Sequence, residues 1–153
     1  MHRETPHVTI YTPVDLTNTI EVKDRLKEKI AQNIGKILTY THIFANAVSM
    51  AIKEFNEINS RLADNKILNI KEINLGIAVD VDDALIVPVV KNAGEKSLTD
   101  LVETMSYLMD KARNKSCPWT TLPGVHLSSV ILGFSMSIFL LLLLTLRNAR
   151  FWE

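Results

Sequence analysis

The chain has 153 residues, with 17 Lys+Arg balanced by 17 Asp+Glu, so its formal net charge is zero. That balance argues against a nucleic-acid partner, which calls for a basic face. Four His and a single Cys (Cys117) exclude a cysteine-based zinc cluster and an intrachain disulfide, and they fit a reducing compartment. The start, Met-His-Arg-Glu-Thr-Pro, has no apolar core of the kind a signal peptide carries. The length allows one domain, or one domain and an appendage.

Val8, Ile10, Thr12, Val14 and Leu16 alternate with the period of a strand, and Pro13 places it at an edge or a bulge. Thr17 or Thr19 can cap a helix over 19–34 with Ile20, Val22, Leu26, Ile30 and Ile34 on its apolar stripe, and Gly35 is placed to end it. Thr41 is the next candidate cap. Ile43, Phe44, Ala47, Val48, Ala51, Ile52 and Phe55 then make a wide stripe over 41–56, which buries that helix centrally. Residues 67–70 form a short strand candidate. The runs 75–81 and 85–90, rich in Val and Ile, flank Asp82-Asp83-Ala84 and read as a hairpin covered on both faces. Ser97 caps a last helix over 97–113 with Leu98, Leu101, Val102, Met105, Leu108 and Met109 inside.

Spacing alone assigns no catalytic residue and no metal ligand. His42 sits on a first helical turn, where a lone histidine is ordinarily a capping or surface residue. Asp80, Asp82 and Asp83 suit a turn better than a cation site, because no further oxygen ligands lie nearby in sequence. Cys117 has none of the surroundings of a nucleophile. The five glycines are scattered and form no phosphate loop.

Two segments carry more. Leu38-Thr39-Tyr40-Thr41, Ala47-Val48, Lys53-Glu54-Phe55, Asn59 and Leu62 form one; Gly76 to Asp80, Leu85 to Ala93 and Lys96-Ser97-Leu98 form the other. With Pro6-His7-Val8-Thr9 they resemble the catalytic core of the dihydrolipoyl acyltransferases of 2-oxoacid dehydrogenase complexes, over about residues 5–115. Ala84 departs from the glycine usual there, which disfavours a turn with positive φ. The resemblance implies an α/β (α+β) fold like that of chloramphenicol acetyltransferase, a mixed sheet flanked by helices. It also implies homotrimers that build larger shells with dehydrogenase partners, in the cytoplasm or an organelle matrix. The implied reaction is acyl transfer between a dihydrolipoyl group and coenzyme A. In the family a His-x-x-x-Asp-Gly motif supplies the base, and a Ser-Asn-(Ile/Phe)-Gly segment stabilises the oxyanion.

Neither motif is in this sequence. None of His2, His7, His42 and His126 is followed by Asp four residues on, and Ser129 is followed by Val130-Ile131-Leu132. The family's lipoyl and subunit-binding domains, normally N-terminal, have no counterpart in these 153 residues and are expected to be missing. The division expected is therefore a partial acyltransferase catalytic domain over 1–114 and a non-family tail over 115–153.

The tail contains an uncharged run from Leu127 to Leu146, long enough as a helix to span about 30 Å, one bilayer core. Read in a shifted frame, however, Cys117 to Thr121 can encode L-S-L-D-D, Ser129 to Gly133 S-N-F-G, and Thr145 to Glu153 N-P-P-E-C-Q-V-L-G. These resemble family segments in family order and spacing. The leading expectation is thus a truncated, frame-shifted and inactive core, its apolar run an accident of frame that folds as a C-terminal helix. The alternative is a tail-anchored membrane protein that uses an acyltransferase-like domain for binding or assembly. A third reading has the missing half supplied by another chain.

Overall fold

A computed structural model of the chain describes residues 12–63, 66–81, 84–114, 129–132 and 142–143. Helix α1 runs Thr17–Ile34. Its entry is organised by Asp15, whose carboxylate accepts from the Thr17 backbone N–H (2.9 Å) and hydroxyl (2.7 Å). Thr17, one of the two expected caps, thus donates both bonds, and the cap position itself is Leu16. Gly35 ends the helix in the left-handed region (φ 65°), its N–H donating to the Ala31 carbonyl at 2.9 Å.

Helix α2 spans Tyr40–Glu54 and begins at Thr39, two residues before the expected cap. Its buried residues His42, Ala45, Ser49 and Ile52 fall at helical spacing on one face. A 3-10 turn over Asn56–Asn59 leads into the hairpin of β1 (Ser60–Ala63) and β2 (Lys66–Asn69). The β1 strand has no strong apolar signature, and only its partner was expected.

Strand β3 (Leu75–Val81) is the axis of the main sheet. Every residue except Asp80 is buried, as the expected cover on both faces requires. Antiparallel to it lie β4 (Ala84–Ile86) and β5 (Val89–Val90). These keep one register: Val79 faces Ile86 and Gly76 faces Val89. The break between them is chemical. The Ile77 N–H donates to the Pro88 carbonyl at 3.0 Å, but proline has no N–H to return. The expected strand over 85–90 is thus two pieces of one line.

Helix α3 (Leu98–Arg113) starts at Ser97 in a capping box with Asp100, and it buries Leu101, Val102, Met105 and Ala112. The core between α2, α3 and β3 includes Ala45, Ile52, Leu75, Ile77, Val79, Val90, Leu101 and Met105. A second, smaller cluster of Ile30, Leu38 and Val102 fastens α1.

Two expectations are corrected. Residues 12–16 form no strand. Pro13 removes a donor there and Val14 is exposed, while residues 8–11 lie outside the described residues. The apolar run 127–146 is not a continuous helix either. Ser129–Leu132 is a strand, β6, running parallel to β3 with Leu75 opposite Ser129, and Leu142–Leu143 is a strand, β7, antiparallel to β6. The β-branched pair Val130-Ile131 suits a strand, and the free edge of β3 supplies the ladder that a lone apolar segment lacks. No helix among the described residues is long and apolar enough to cross a membrane.

Candidate functional site

His42 is the one histidine among the described residues and the most chemically loaded group in the fold. It is 1% exposed on the first turn of α2. Its Nδ1 accepts from the Thr39 backbone N–H at 3.0 Å and lies 2.9 Å from the Thr39 hydroxyl. It thereby fills the place that Glu or Gln takes in a capping box. Accepting at Nδ1 puts the proton of the neutral ring on Nε2, which is buried with no hydrogen-bond partner. Burial pushes the imidazole pKa down from 6.5 to about 4. A base sealed in this way can neither reach a thiol nor exchange protons freely, so His42 is a cap, as its position in the sequence suggests.

The remaining candidates are dispersed. Asp80 is exposed on β3 with its neighbours along the strand buried. Asp82, Asp83, Cys117, His2, His7 and His126 lie outside the described residues. Ser129 is the first residue of β6, its backbone paired with Leu75. No group of three or more His, Cys, Asp or Glu among the described residues could hold a metal ion.

The polar groups that the fold does bring together are asparagines, whose roles spacing does not disclose. Asn59 is 5% exposed and donates to the carbonyls of Ile70 (2.7 Å) and Glu72 (3.0 Å). Asn74, 4% exposed, accepts from the Asn92 N–H at 3.1 Å, and the Ala93 N–H donates to the Ile73 carbonyl at 2.7 Å. Asn92 itself is left-handed (φ 50°), a conformation that asparagine tolerates better than most residues. That preference is the one signal by which the turn could have been found. Two open clefts share Asn92 and Glu95. One, about 510 Å³, adds Lys91, Lys96 and Asp100. The other, about 350 Å³, adds Lys53, Lys71, Glu72, Ile73 and Gly94. Their lysines are offset by carboxylates, and neither cleft contains a nucleophile paired with a base.

Helices over a mixed sheet, a hairpin split by Pro88 and a scaffold of buried asparagines define a core domain, with no assembled catalytic constellation among the described residues. Comparison with known proteins identifies the family. The profile of the 2-oxoacid dehydrogenases acyltransferase (catalytic domain) matches residues 1–128, and the chain belongs to that family.

The chain is 38% identical over 111 residues to the lipoamide acyltransferase component of the branched-chain alpha-keto acid dehydrogenase complex of Bacillus subtilis, covering 72% of this chain and 26% of the relative. It is 32% identical over 130 residues to the dihydrolipoyllysine-residue acetyltransferase component of the pyruvate dehydrogenase complex of Azotobacter vinelandii, covering 84% of this chain and 20% of that protein. It thus spans only about a quarter of these relatives.

Among solved structures, a crystal structure of a probable dihydrolipoamide acetyltransferase from Listeria monocytogenes is 33% identical with a TM-score of 0.70, over 82% of this chain and 56% of that one. The Azotobacter vinelandii dihydrolipoamide acetyltransferase, studied for the roles of a serine, a histidine and an asparagine in its catalytic mechanism, is 30% identical with a TM-score of 0.75, over 84% of this chain and 53% of that one. A cubic core of the pyruvate dehydrogenase multienzyme complex matches equally well.

Proposed function

We propose that this chain is a scaffold portion of a dihydrolipoyl acyltransferase core that does not turn over by itself. Acyl transfer between a dihydrolipoyl thiol and coenzyme A needs a base on the thiol and a donor to the tetrahedral oxyanion. The observation that carries the reading is the fate of the histidines. No His in the 153 residues opens a His-x-x-x-Asp-Gly sequence, and His42 is spent on capping α2. Ser129 opens strand β6 and is followed by Val130-Ile131, not Asn-x-Gly. Coenzyme A and the lipoyl group are then ligands of the family, with no binding residue assigned in this chain, and assembly into trimers and shells is its remaining capacity.

Missing a general base costs about 10²–10⁴-fold, and a missing oxyanion donor about 10²–10³-fold. Purified chain is expected to show no exchange of acetyl, succinyl or branched-chain acyl groups between coenzyme A and dihydrolipoamide above background. Turnover by homogeneous protein overturns the reading.

The division at Lys115, with an out-of-frame continuation behind it, belongs to the same proposal. Its support is the order and spacing of the family-like segments in the shifted frame. The family match runs on to residue 128, so some family register persists past the division. Reading the gene around codon 115 tests this. A downstream frame encoding His-x-x-x-Asp-Gly is the expected result, and an open frame without it counts against the proposal.

A further inference from the structure

The fold holds two apolar clusters of unequal size, and His42 stands where the smaller one is fastened. The larger cluster joins α2, α3 and the sheet. The smaller one, Ile30, Leu38 and Val102 with Leu26, Ile34, Ile43 and Leu98 against it, is what holds α1. Ile30 is the one buried residue of α1. Leu38 is 1% exposed and immediately precedes Thr39, whose N–H is held by His42. The position of Leu38, and with it the seat of α1, therefore depends on a bond that exists only while Nδ1 carries no proton.

The surroundings offer an imidazolium nothing. The faces that α3 buries are Leu101, Val102, Met105 and Ala112, while its Asp100, Glu103, Asp110, Lys111 and Arg113 are exposed. Glu57 on the 3-10 turn and Glu95 on the 93–95 turn are exposed as well. On the α1 side, Lys23 lies over the Tyr40 ring at 4.3 Å, and Lys36 pairs with Asp110 at 3.0 Å. A proton on Nδ1 turns that atom into a donor. The Thr39 hydroxyl can rotate to accept it, but the Thr39 backbone N–H then faces another donor in a dry site.

We propose that the Thr39–His42 pair is an acid-opened latch: protonation of His42 releases the start of α2, and α1 undocks from α3 while the β3-centred core stays folded. Burial alone depresses the His42 pKa, so the released histidine binds protons more tightly than the latched one, and acid drives opening. Asp15 and Asp100 are both held below the ordinary 3.8 by their hydrogen bonds to Thr17 and Ser97, so they titrate beneath the window concerned.

The test is site-resolved amide exchange by NMR on the full chain between pH 7 and pH 5, corrected for intrinsic exchange. Taking 6.5 for the released ring and about 4 for the latched one, α1 amides should lose protection roughly 20-fold, through an opening less sensitive to denaturant than the global unfolding that exposes β3. H42Q keeps a capping-box partner without the titration, and its α1 protection should not change with pH. Should H42Q fail to fold, the wild-type imidazole resonances decide. The opening midpoint of α1 must follow the titration of His42. An α1 opening with the same denaturant sensitivity as that of β3, an undiminished pH effect in H42Q, or a His42 that titrates near 6.5 without moving α1 would each overturn the latch.

Discussion

Asn59 holds Ile70 across an eleven-residue excursion of chain: its Nδ2 donates to the Ile70 carbonyl at 2.7 Å, and the Ile70 N–H returns a bond to the Asn59 carbonyl at 3.0 Å. The same amide reaches Glu72, so one buried side chain closes the base of the β1–β2 hairpin and sets the entry to β3. Asn59→Ala leaves two carbonyls short of a donor, and Asn59→Asp turns acceptors toward acceptors. Each is expected to lower stability by about 1–3 kcal/mol, Asp more than Ala. A urea midpoint that moves without a change in slope measures it.

Gly94 lies close under the side chain of Ile73. A Cβ there would stand 2.6 Å from Ile73 Cδ1, the far end of a flexible side chain. Gly94→Ala should cost at most about 1 kcal/mol, because the Ile73 terminal methyl can swing aside. Ile73→Val removes the offending methyl, so the double variant should recover part of that loss. Strict additivity in the cycle would show that the contact is not the cause.

Leu101 and Met105 are fully buried between α2 and β3. Leu101→Ala is expected to destabilise by about 2–5 kcal/mol, depending on how far the cavity collapses. Ile37, 72% exposed, is the internal control: Ile37→Ala should change the thermal midpoint very little.

Global stability should also fall with acid through His42. Its folded pKa, about 4, lies below the 6.5 of the unfolded chain, so unfolding takes up a proton between these values. The contribution is complete above about pH 6.5 and is lost on descent toward pH 4, with an upper bound of roughly 3 kcal/mol. Denaturant titrations of wild type and H42Q across that range should diverge by less than this and in this direction.

The β3–β6 pairing has its own test. Ile131 lies opposite Ile77 on one side and Leu142 on the other. Ile131→Pro takes an N–H out of an inner strand, and it should lower β3 amide protection far more than Ile67→Pro on the exposed β2.

The helices and β3 were legible because their signals are local. Gly35, Ser97 and the period of α3 each act within a few residues, and the hairpin of the main sheet could be read from two Val- and Ile-rich runs. What could not be read is non-local. β1 is a strand because β2 lies beside it, and Ser129–Leu132 is a strand because β3 has an edge to fill, although the surrounding run has the composition of a membrane helix. Residues 12–16 alternate, but among the described residues they find no partner strand. At the candidate site, a first-turn position and a capping or surface role were legible for His42, but the cap was expected at Thr41 and lies at Thr39. Its sealed Nε2 was not legible, because burial of α2 depends on α3, some sixty residues away. The asparagine scaffold was equally hidden, since nothing in the spacing of Asn59, Asn74 and Asn92 says which carbonyls they will meet.

The parallel pairing of β6 with β3 also orders events at the ribosome. Leu75 leaves the exit tunnel roughly 50 residues ahead of Ser129, its partner across the ladder. At about 5–20 residues per second, the inner strand waits several seconds with one side bare. During that interval β4, β5 and α3 can settle on β3, but its other margin remains a template for any extended apolar segment nearby, including one from a neighbouring nascent chain. The yield of folded protein should therefore depend on elongation speed between codons 90 and 130, a region in which amino-acid substitutions and synonymous changes alike can alter the outcome.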